Sequence, residues 1–438
     1  MSDTRPKATT PVIVTRREVE RIFIEKNAES AIHEAAEQEG SLEHAQAMAM
    51  TGAILRELQK AETETGSDRV MVTAQHGPAS RLQAMIASGE AGSLSLQAMP
   101  AGGLEAKFDT ADWLGWASVA WAKLKSGGKH ALLKPKHPGP QALPEKARIG
   151  VVGDWATGLY GAPKIADALR DDPDQFAMLV HLGDVYYSGT KNEVQQRFLD
   201  LWPDRREAIH RAINGNHEMY AGGHAYFDAI LPAFNQDASY FAHQNKNWVV
   251  VGLDVAHTDH EIDAEQVKWL VGILAQAGDR KVILLSHHQL FSCYESQGDK
   301  LWRNAAFAEI LRSGRIFAWY WGHEHRCAIY QERDARSGLW GRCIGHGGMP
   351  EARTKTRNLP RAPGYDLAEW RLAPANISKD GTVNASPSLV LEGPNWLIPG
   401  EADKFMPHGY AVLTLDGAHL IEEVLDPDRN VIYRKELA

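Results

Sequence analysis

Cysteine is scarce in these 438 residues: Cys293, Cys327 and Cys343 are all there are. An odd number without paired spacing excludes a disulfide framework and predicts a reducing compartment. No apolar run approaches the roughly 18 to 20 residues that a membrane span requires. The opening Met-Ser-Asp-Thr-Arg-Pro-Lys has no apolar signal region, so a cytoplasmic protein is expected. Excess positive charge is missing too. The 47 Lys and Arg stand against 56 Asp and Glu, and a formal net charge of −9 argues against general nucleic-acid binding. There is no internal repeat and no low-complexity tract. What is there, 44% hydrophobic and 24% charged residues, is the composition of a globular protein with a large core. The length predicts two or three units.

The first of these units reads as helical. Residues 1 to about 14 are polar and contain proline. From Arg16 to Leu58, Val19, Ile22, Phe23, Ala31, Ile32 and Ala35 recur at three- and four-residue steps, Gly40-Ser41 interrupts, and a second helix fits Leu42 to Gln59. Residues 63–110 are rich in Gly, Ala and Ser, with one short strand expected over Arg69 to Thr73. Asp112 caps a helix to Lys125 whose stripe of Trp113, Trp116 and Trp121 predicts docking on the next domain rather than on a membrane surface. Four prolines between Pro135 and Pro144 read as a linker. Residues 1–140 are therefore expected to be a mainly helical N-terminal region ending in a Pro-rich linker. It is a candidate for oligomerisation or partner binding, with residues 145–438 as the second unit.

In the second unit short β runs alternate with helical patterns, which predicts an α/β fold. The β runs are Arg148–Val152, Gln175–Leu182, Ala212–Gly215, Trp248–Leu253, Val282–Leu285 and Ile316–Trp321, and helices fit Lys164–Arg170, Val194–Leu201, Ala264–Ala277 and Leu301–Arg312. Thr354 to about Pro407 reads as a long loop, a candidate lid or surface excursion. Tyr410–Leu415 and Leu420–Leu425 across Asp416-Gly417 form a hairpin signal, and Val431–Arg434 a third strand.

Five of the apolar runs end in polar blocks: Gly153-Asp154, Gly183-Asp184-Val185-Tyr186-Tyr187, Gly215-Asn216-His217-Glu218, Ser286-His287-His288 and Gly322-His323-Glu324-His325. A strand that stops at a carboxylate delivers it to the sheet edge, where α/β proteins place their sites. Each block alone is an ordinary turn or cap. Together they supply carboxylates, an amide, imidazoles and a phenol, which is a metal-ligand inventory.

In this order the blocks resemble those of the calcineurin-like metallophosphoesterases, and within them the purple acid phosphatase branch. That branch reads Gly-Asp-x-Gly, Gly-Asp-x-x-Tyr, Gly-Asn-His-Asp/Glu, Val-x-x-His and Gly-His-x-His. The resemblance covers about residues 148–350 and the terminal hairpin. It implies a two-sheet β-sandwich flanked by helices, the metallophosphoesterase fold, with two metal ions. The first ion would be held by Asp154, Asp184, Tyr187 and His325, the second by Asp184, Asn216, His287 and His323. His217 would act as general acid beside the phosphate, with Asn216 a further donor, while Glu218, His288 and His346 are candidate substrate or supporting contacts.

The sequence departs from the pattern in places. Asp154-Trp155-Ala156 lacks the histidine of Asp-x-His, with Tyr187 expected in its stead, and Ala156 stands where the branch has glycine. His287-His288-Gln289 replaces His-x-Pro, and the spacing from Leu284 assigns His287 as the ligand with His288 as fallback. The phenol implies iron, with a second divalent ion of Fe, Mn or Zn. The implied reaction is in-line hydrolysis of a phosphorylated small molecule or nucleotide by a metal-bound hydroxide. A phosphomonoester is the leading substrate class. A nucleotide or cyclic-nucleotide diester is the alternative, and a silent scaffold a third reading.

Overall fold

In a computed structural model, residues 11–22, 42–88, 128–295, 299–379 and 381–438 are described. Two sheets pack face to face. In one, six strands lie in the order Val431–Glu436, His419–Leu425, Tyr410–Asp416, Lys146–Val152, Met178–His181 and Ile209–Ala212. The other begins with Gln141–Ala142, Phe241–Gln244, Trp248–Gly252, Lys281–Ser286 and Ile316–Trp321. It continues through Trp340–Ile344, Cys327–Tyr330, Ser388–Glu392 and Glu369–Ala373 to make nine strands. Lys146–Val152, Met178–His181 and Ile209–Ala212 run parallel at one end of the six-strand sheet, and Trp248–Gly252, Lys281–Ser286, Ile316–Trp321 and Trp340–Ile344 run parallel in the middle of the nine-strand sheet.

The central strands are nearly continuous apolar runs because both of their faces are covered. Ile149, Val151, Met178 and Val180 meet Val250, Ile283 and Leu285 between the sheets. The alternate residues Val152 and Leu179 face outward against the helix Gly161–Arg170, through Ile165 and Leu169. Val249, Val251 and Leu284 do the same beneath the helices Ala264–Ala277 and Ala305–Arg312. One ion pair crosses the interior: Arg342 Nη2 lies 2.7 Å from Glu422 Oε1, and both side chains are buried. Tyr320 donates to the other carboxylate oxygen at 2.8 Å.

The terminal hairpin forms across Asp416-Gly417, with Gly417 at a φ of 59° that glycine adopts without strain. The stretch from Thr354 to Pro407 is not simply a loop. Glu369–Ala373 and Ser388–Glu392 extend the larger sheet at its edge, and Trp370, Leu389 and Leu391 reach the inter-sheet core. These strands are short and set among prolines, so their pairing comes from tertiary packing rather than local pattern. Residues 69–73 run as bends and extended chain, not as the expected strand. The tryptophan helix expected over 112–125 lies outside the described residues.

The described N-terminal segments pack on the second unit. Val14, Val19, Ile54, Leu58, Met71 and Leu82 form one buried cluster with Tyr186, Tyr187 and Met349. Residues within the expected linker join the sandwich: Gln141–Ala142 pairs parallel with Phe241–Gln244, and Lys136 donates its amide to Asp237.

Candidate metal centre

The five polar blocks meet at the carboxyl ends of the parallel strands. Asp154 follows Lys146–Val152, Asp184 follows Met178–His181, and Asn216 follows Ile209–Ala212. His287 directly follows Lys281–Ser286, and His323 and His325 follow Ile316–Trp321. Getting from strand to site requires sharp reversals. Asp154, Asp184, His323 and His325 have φ of 53°, 77°, 69° and 50°, in the left-handed region that non-glycine residues avoid. Such strain persists where the surroundings impose it, and it clusters at sites. Glycines make room for the carboxylates: a Cβ on Gly322 would stand 2.6 Å from Asp154 Oδ2, and one on Gly215 2.2 Å from Asp184 Oδ1.

Two donor groups share Asp184. In the first, the Tyr186 hydroxyl donates to Asp154 Oδ1 at 2.8 Å and to Asp184 Oδ2 at 3.2 Å, and lies 3.1 Å from His325 Nε2. In the second, His287 Nε2 lies 3.3 Å from Asp184 Oδ1 and 2.9 Å from Asn216 Oδ1. His323 Nδ1 lies 3.1 Å from Asn216 Oδ1 and 3.3 Å from His287 Nε2. His287 Nδ1 is 2.9 Å from the Leu182 carbonyl, so it carries a hydrogen, and Nε2 is the atom turned to the centre.

Asp154 and Asp184 are fully buried, and among the described residues no lysine or arginine pairs with either. Burial raises the Asp154 carboxyl to about 8, against the opposing charge of His287. Burial also works to raise Asp184, but His287, His217 and His323 outweigh it and hold that carboxyl well below its usual range. His287 is raised to about 9 because Asp184 overcomes the effect of burial. Burial drives His325 down to about 3. Two neighbouring buried carboxylates with only imidazoles for counter-charge are a poor resting state for protein alone. Oxygen and imidazole donors arranged around a shared carboxylate could hold metal ions.

The structure corrects one expected member. Tyr187 points away from the centre: its hydroxyl accepts the Val14 amide at 2.9 Å, and its ring lies 5.2 Å from the Arg197 guanidinium carbon. Tyr186 takes the inner position. Motif spacing picks the second tyrosine of the pair, but the turn after Asp184 decides which phenol faces inward.

The remaining candidates have distinct surroundings. His217 is buried with Nδ1 2.5 Å from the Tyr187 carbonyl, so its Nε2, without a hydrogen-bond partner, faces Asp184 Oδ2 at 3.8 Å. Burial lowers its pKa. Glu218 accepts the amides of Asp184 and Gly215, so it braces two of the loops that carry the site. His288 turns to the Val255 carbonyl, away from Asp184. His346 lies against Gly409 and His408, and among the described residues makes no contact with the donor groups.

Sequence reasoning missed Gln75. Its Oε1 accepts Asn216 Nδ2 at 2.8 Å and the Tyr220 hydroxyl at 3.2 Å. This holds the Asn216 amide with its oxygen toward His287 and His323. A lone glutamine in a Gly- and Ala-rich stretch carries no signal for such a role. A cavity of about 120 Å³ opens here, with Met71, Thr73 and Gln75 on one wall and Glu295, His323 and His325 on another. Thr354 and Lys355, from the stretch expected as a lid, also line it.

Comparison with known proteins agrees with this geometry. Residues 147–327 match the family model of the calcineurin-like phosphoesterases. The match takes in the Asp and His clusters that could hold metal ions. No curated protein sequence matches the chain significantly. Among solved structures, a purple acid phosphatase from yellow lupin (Lupinus luteus) seeds is similar over 66% of this chain and 53% of its own, at 16% identity and a TM-score of 0.46. The chain thus spans about half the length of that structure. The GAP50 anchor of the Plasmodium inner membrane complex is similar over 66% and 88%, at 12% identity and a TM-score of 0.44. PhoD is similar over 70% and 73%, at 10% identity and a TM-score of 0.42. Among the described residues, no helix is long and apolar enough to cross a membrane.

Proposed function

We propose that the chain hydrolyses small phosphomonoesters at a dinuclear centre centred on Asp184. The observation that carries the reading is the pair of donor groups that share this carboxylate, one oxygen to each. Asp154, Asp184, Tyr186 and His325 would hold one ion, and Asp184, Asn216, His287 and His323 the other. The phenol favours iron in the first position and leaves Fe, Mn or Zn for the second. When bound, the ions supply Lewis acidity toward the phosphoryl oxygens and a water activated for attack.

The chain's own groups do the rest. His217 is the proton donor to the leaving oxygen: its Nδ1 is fixed on the Tyr187 carbonyl, so Nε2 is the atom that faces the centre. Burial disfavours the protonated ring, and an incoming phosphate dianion restores it by opposite charge. The wall of Met71, Thr73 and Gln75 limits the leaving group. His323 and His325 line the same cavity, so a leaving group bound at the centre would meet this wall. In this reading residues 145–438 are the phosphoesterase domain, and residues 1–140 contribute a wall of its site.

The test is hydrolysis of an aryl phosphomonoester beside the matched diester, with metal content measured in the same samples and His217→Ala as control. Monoester preference, lost in the variant while metal is retained, is expected. Diester preference would overturn the substrate class. Turnover unchanged in His217→Ala would remove its role.

A further inference from the structure

Next to the dinuclear centre lies a second set of buried imidazoles that phosphoester hydrolysis leaves unused. Ring nitrogens of His260, His288 and His323 lie within 4.8 Å of one another. His288 adjoins the ligand His287 in sequence yet faces the other way. Its Nδ1 is 3.1 Å from the Val255 carbonyl, which can only accept, so Nδ1 carries the hydrogen and Nε2 presents a lone pair. That Nε2 is buried and, among the described residues, has no hydrogen-bond partner.

His260 repeats the arrangement. Its Nδ1 is 2.7 Å from Asp259 Oδ1, and its buried Nε2 is likewise without a partner among the described residues. A carbonyl or carboxylate on one ring nitrogen and a bare nitrogen opposite is how metal-ligating histidines are held. His287 shows the same pattern with Leu182 in the centre already described. A buried polar atom left unmet costs about 1–3 kcal/mol, and here two stand side by side, their rings 3.7 Å apart.

The surroundings suit a cation. Asp259 Oδ1 lies 3.8 Å from His288 Nε2, and Glu295 Oε2 lies 3.7 Å from His323 Nε2. Because His323 turns Nδ1 to Asn216 and His287, its Nε2 is left for this side.

We propose that His260 Nε2 and His288 Nε2 bind a third divalent ion of the zinc type, with Glu295 and His323 Nε2 completing the donor set, the His323 ring bridging as an imidazolate whose N–H proton is released to solvent. The His323 ring would then stand between this ion and the pair centred on Asp184. Imidazole-rich sites favour zinc among the available divalent ions, whereas the carboxylate- and phenol-containing pair favours harder ones.

The test is zinc stoichiometry on the full chain, saturated and then dialysed, together with anomalous diffraction at the zinc edge. Three ions per chain are expected in the wild type, and two each in His260→Gln and His288→Gln. An anomalous peak is expected within ligand distance of both Nε2 atoms. The diffraction measurement needs no variant, so a misfolded substitution does not decide the question. Two ions in the wild type with no peak between His260 and His288 would overturn the proposal and leave the dinuclear reading intact. A peak there with none near Asp184 would overturn the dinuclear reading and leave this one standing.

Discussion

The exchange of Tyr187 for Tyr186 can be tested by the sign of an effect. The Tyr186 hydroxyl donates to carboxylate oxygens of both Asp154 and Asp184. Hydrogen bonds to charged groups contribute about 1.5–3 kcal/mol each. If the phenol merely neutralised the carboxylates, Tyr186→Phe would free them for metal, and affinity would rise about tenfold for each 1.4 kcal/mol released. If its oxygen is a ligand, affinity falls. We expect a fall of at least about tenfold, by the same conversion, and loss of the visible phenolate-to-iron band in the iron-loaded protein. Tyr187→Phe should leave both readouts unchanged. It strands the Val14 amide, which Tyr187 accepts at 2.9 Å, at a stability cost of about 1–3 kcal/mol. For a domain of this size that is a loss in Tm of about 2–4 °C per kcal/mol. Competition titration with a chromophoric chelator, the visible spectrum and a thermal melt on each variant separate the cases. A band lost in Tyr187→Phe and kept in Tyr186→Phe would refute the assignment.

Other residues give further checks. Gln75→Ala releases the Asn216 amide and should weaken the second ion about tenfold, the scale on which groups behind a ligand act; unchanged affinity in calorimetric titration would remove Gln75 from the site. Glu422→Leu leaves the buried Arg342 charge unpaired and should cost about 3–5 kcal/mol, read by urea unfolding. Much of that loss should return in the double variant with Arg342→Met, and a single-variant loss below about 1 kcal/mol would count against a sealed pair. In the metal-free chain Asp154 and Glu218 titrate near 8 and His287 near 9. All three are raised above their unfolded values, so the folded state holds extra protons at pH 7 and stability should fall from pH 7 to 9. Equal melting temperatures across that window would contradict this charge balance.

The parts of this protein legible in its sequence are those where local pattern and tertiary demand coincide. Strands such as Met178–His181 are nearly apolar because both faces are covered, and for five of the strands the polar residue just past the end is the one that reaches the site. Asp154, Asp184, Asn216, His287, His323 and His325 could therefore be placed from their positions at run ends. Tyr186 could not be told from Tyr187, since adjacent phenols differ only in which way a turn faces them. Gln75 was invisible because its partner Asn216 lies far along the chain. Glu369–Ala373 and Ser388–Glu392 are too short to show a period, and the larger sheet rather than their own sequence makes them strands. The His260–His288 pair had half a signal: His288 stood beside a recognised ligand, but His260 lies in a polar stretch with no run to mark it.

The centre also bears on why the sandwich holds together. Asp154, Asp184 and Asn216 come from the six-strand sheet, and His287, His323 and His325 from the nine-strand sheet. Without ions the seam between them holds two buried carboxyl groups whose charged neighbours are imidazoles, and four donor residues at left-handed φ. Ions bound there would join the sheets and offset that charge at the same point. A ligand that binds only the folded state stabilises it by RT ln(1 + [L]/Kd), about 2.7 kcal/mol for each ion at a hundredfold excess over Kd. Removing metal with a chelator should therefore lower Tm by several degrees, and Asp184→Asn, which removes the shared charge, should melt near the metal-free value with or without added metal. A chelated protein shown to be metal-free that melts with the loaded one would mean that the sandwich carries the strain alone. The donor groups would then be held by packing, and metal would add chemistry without adding stability.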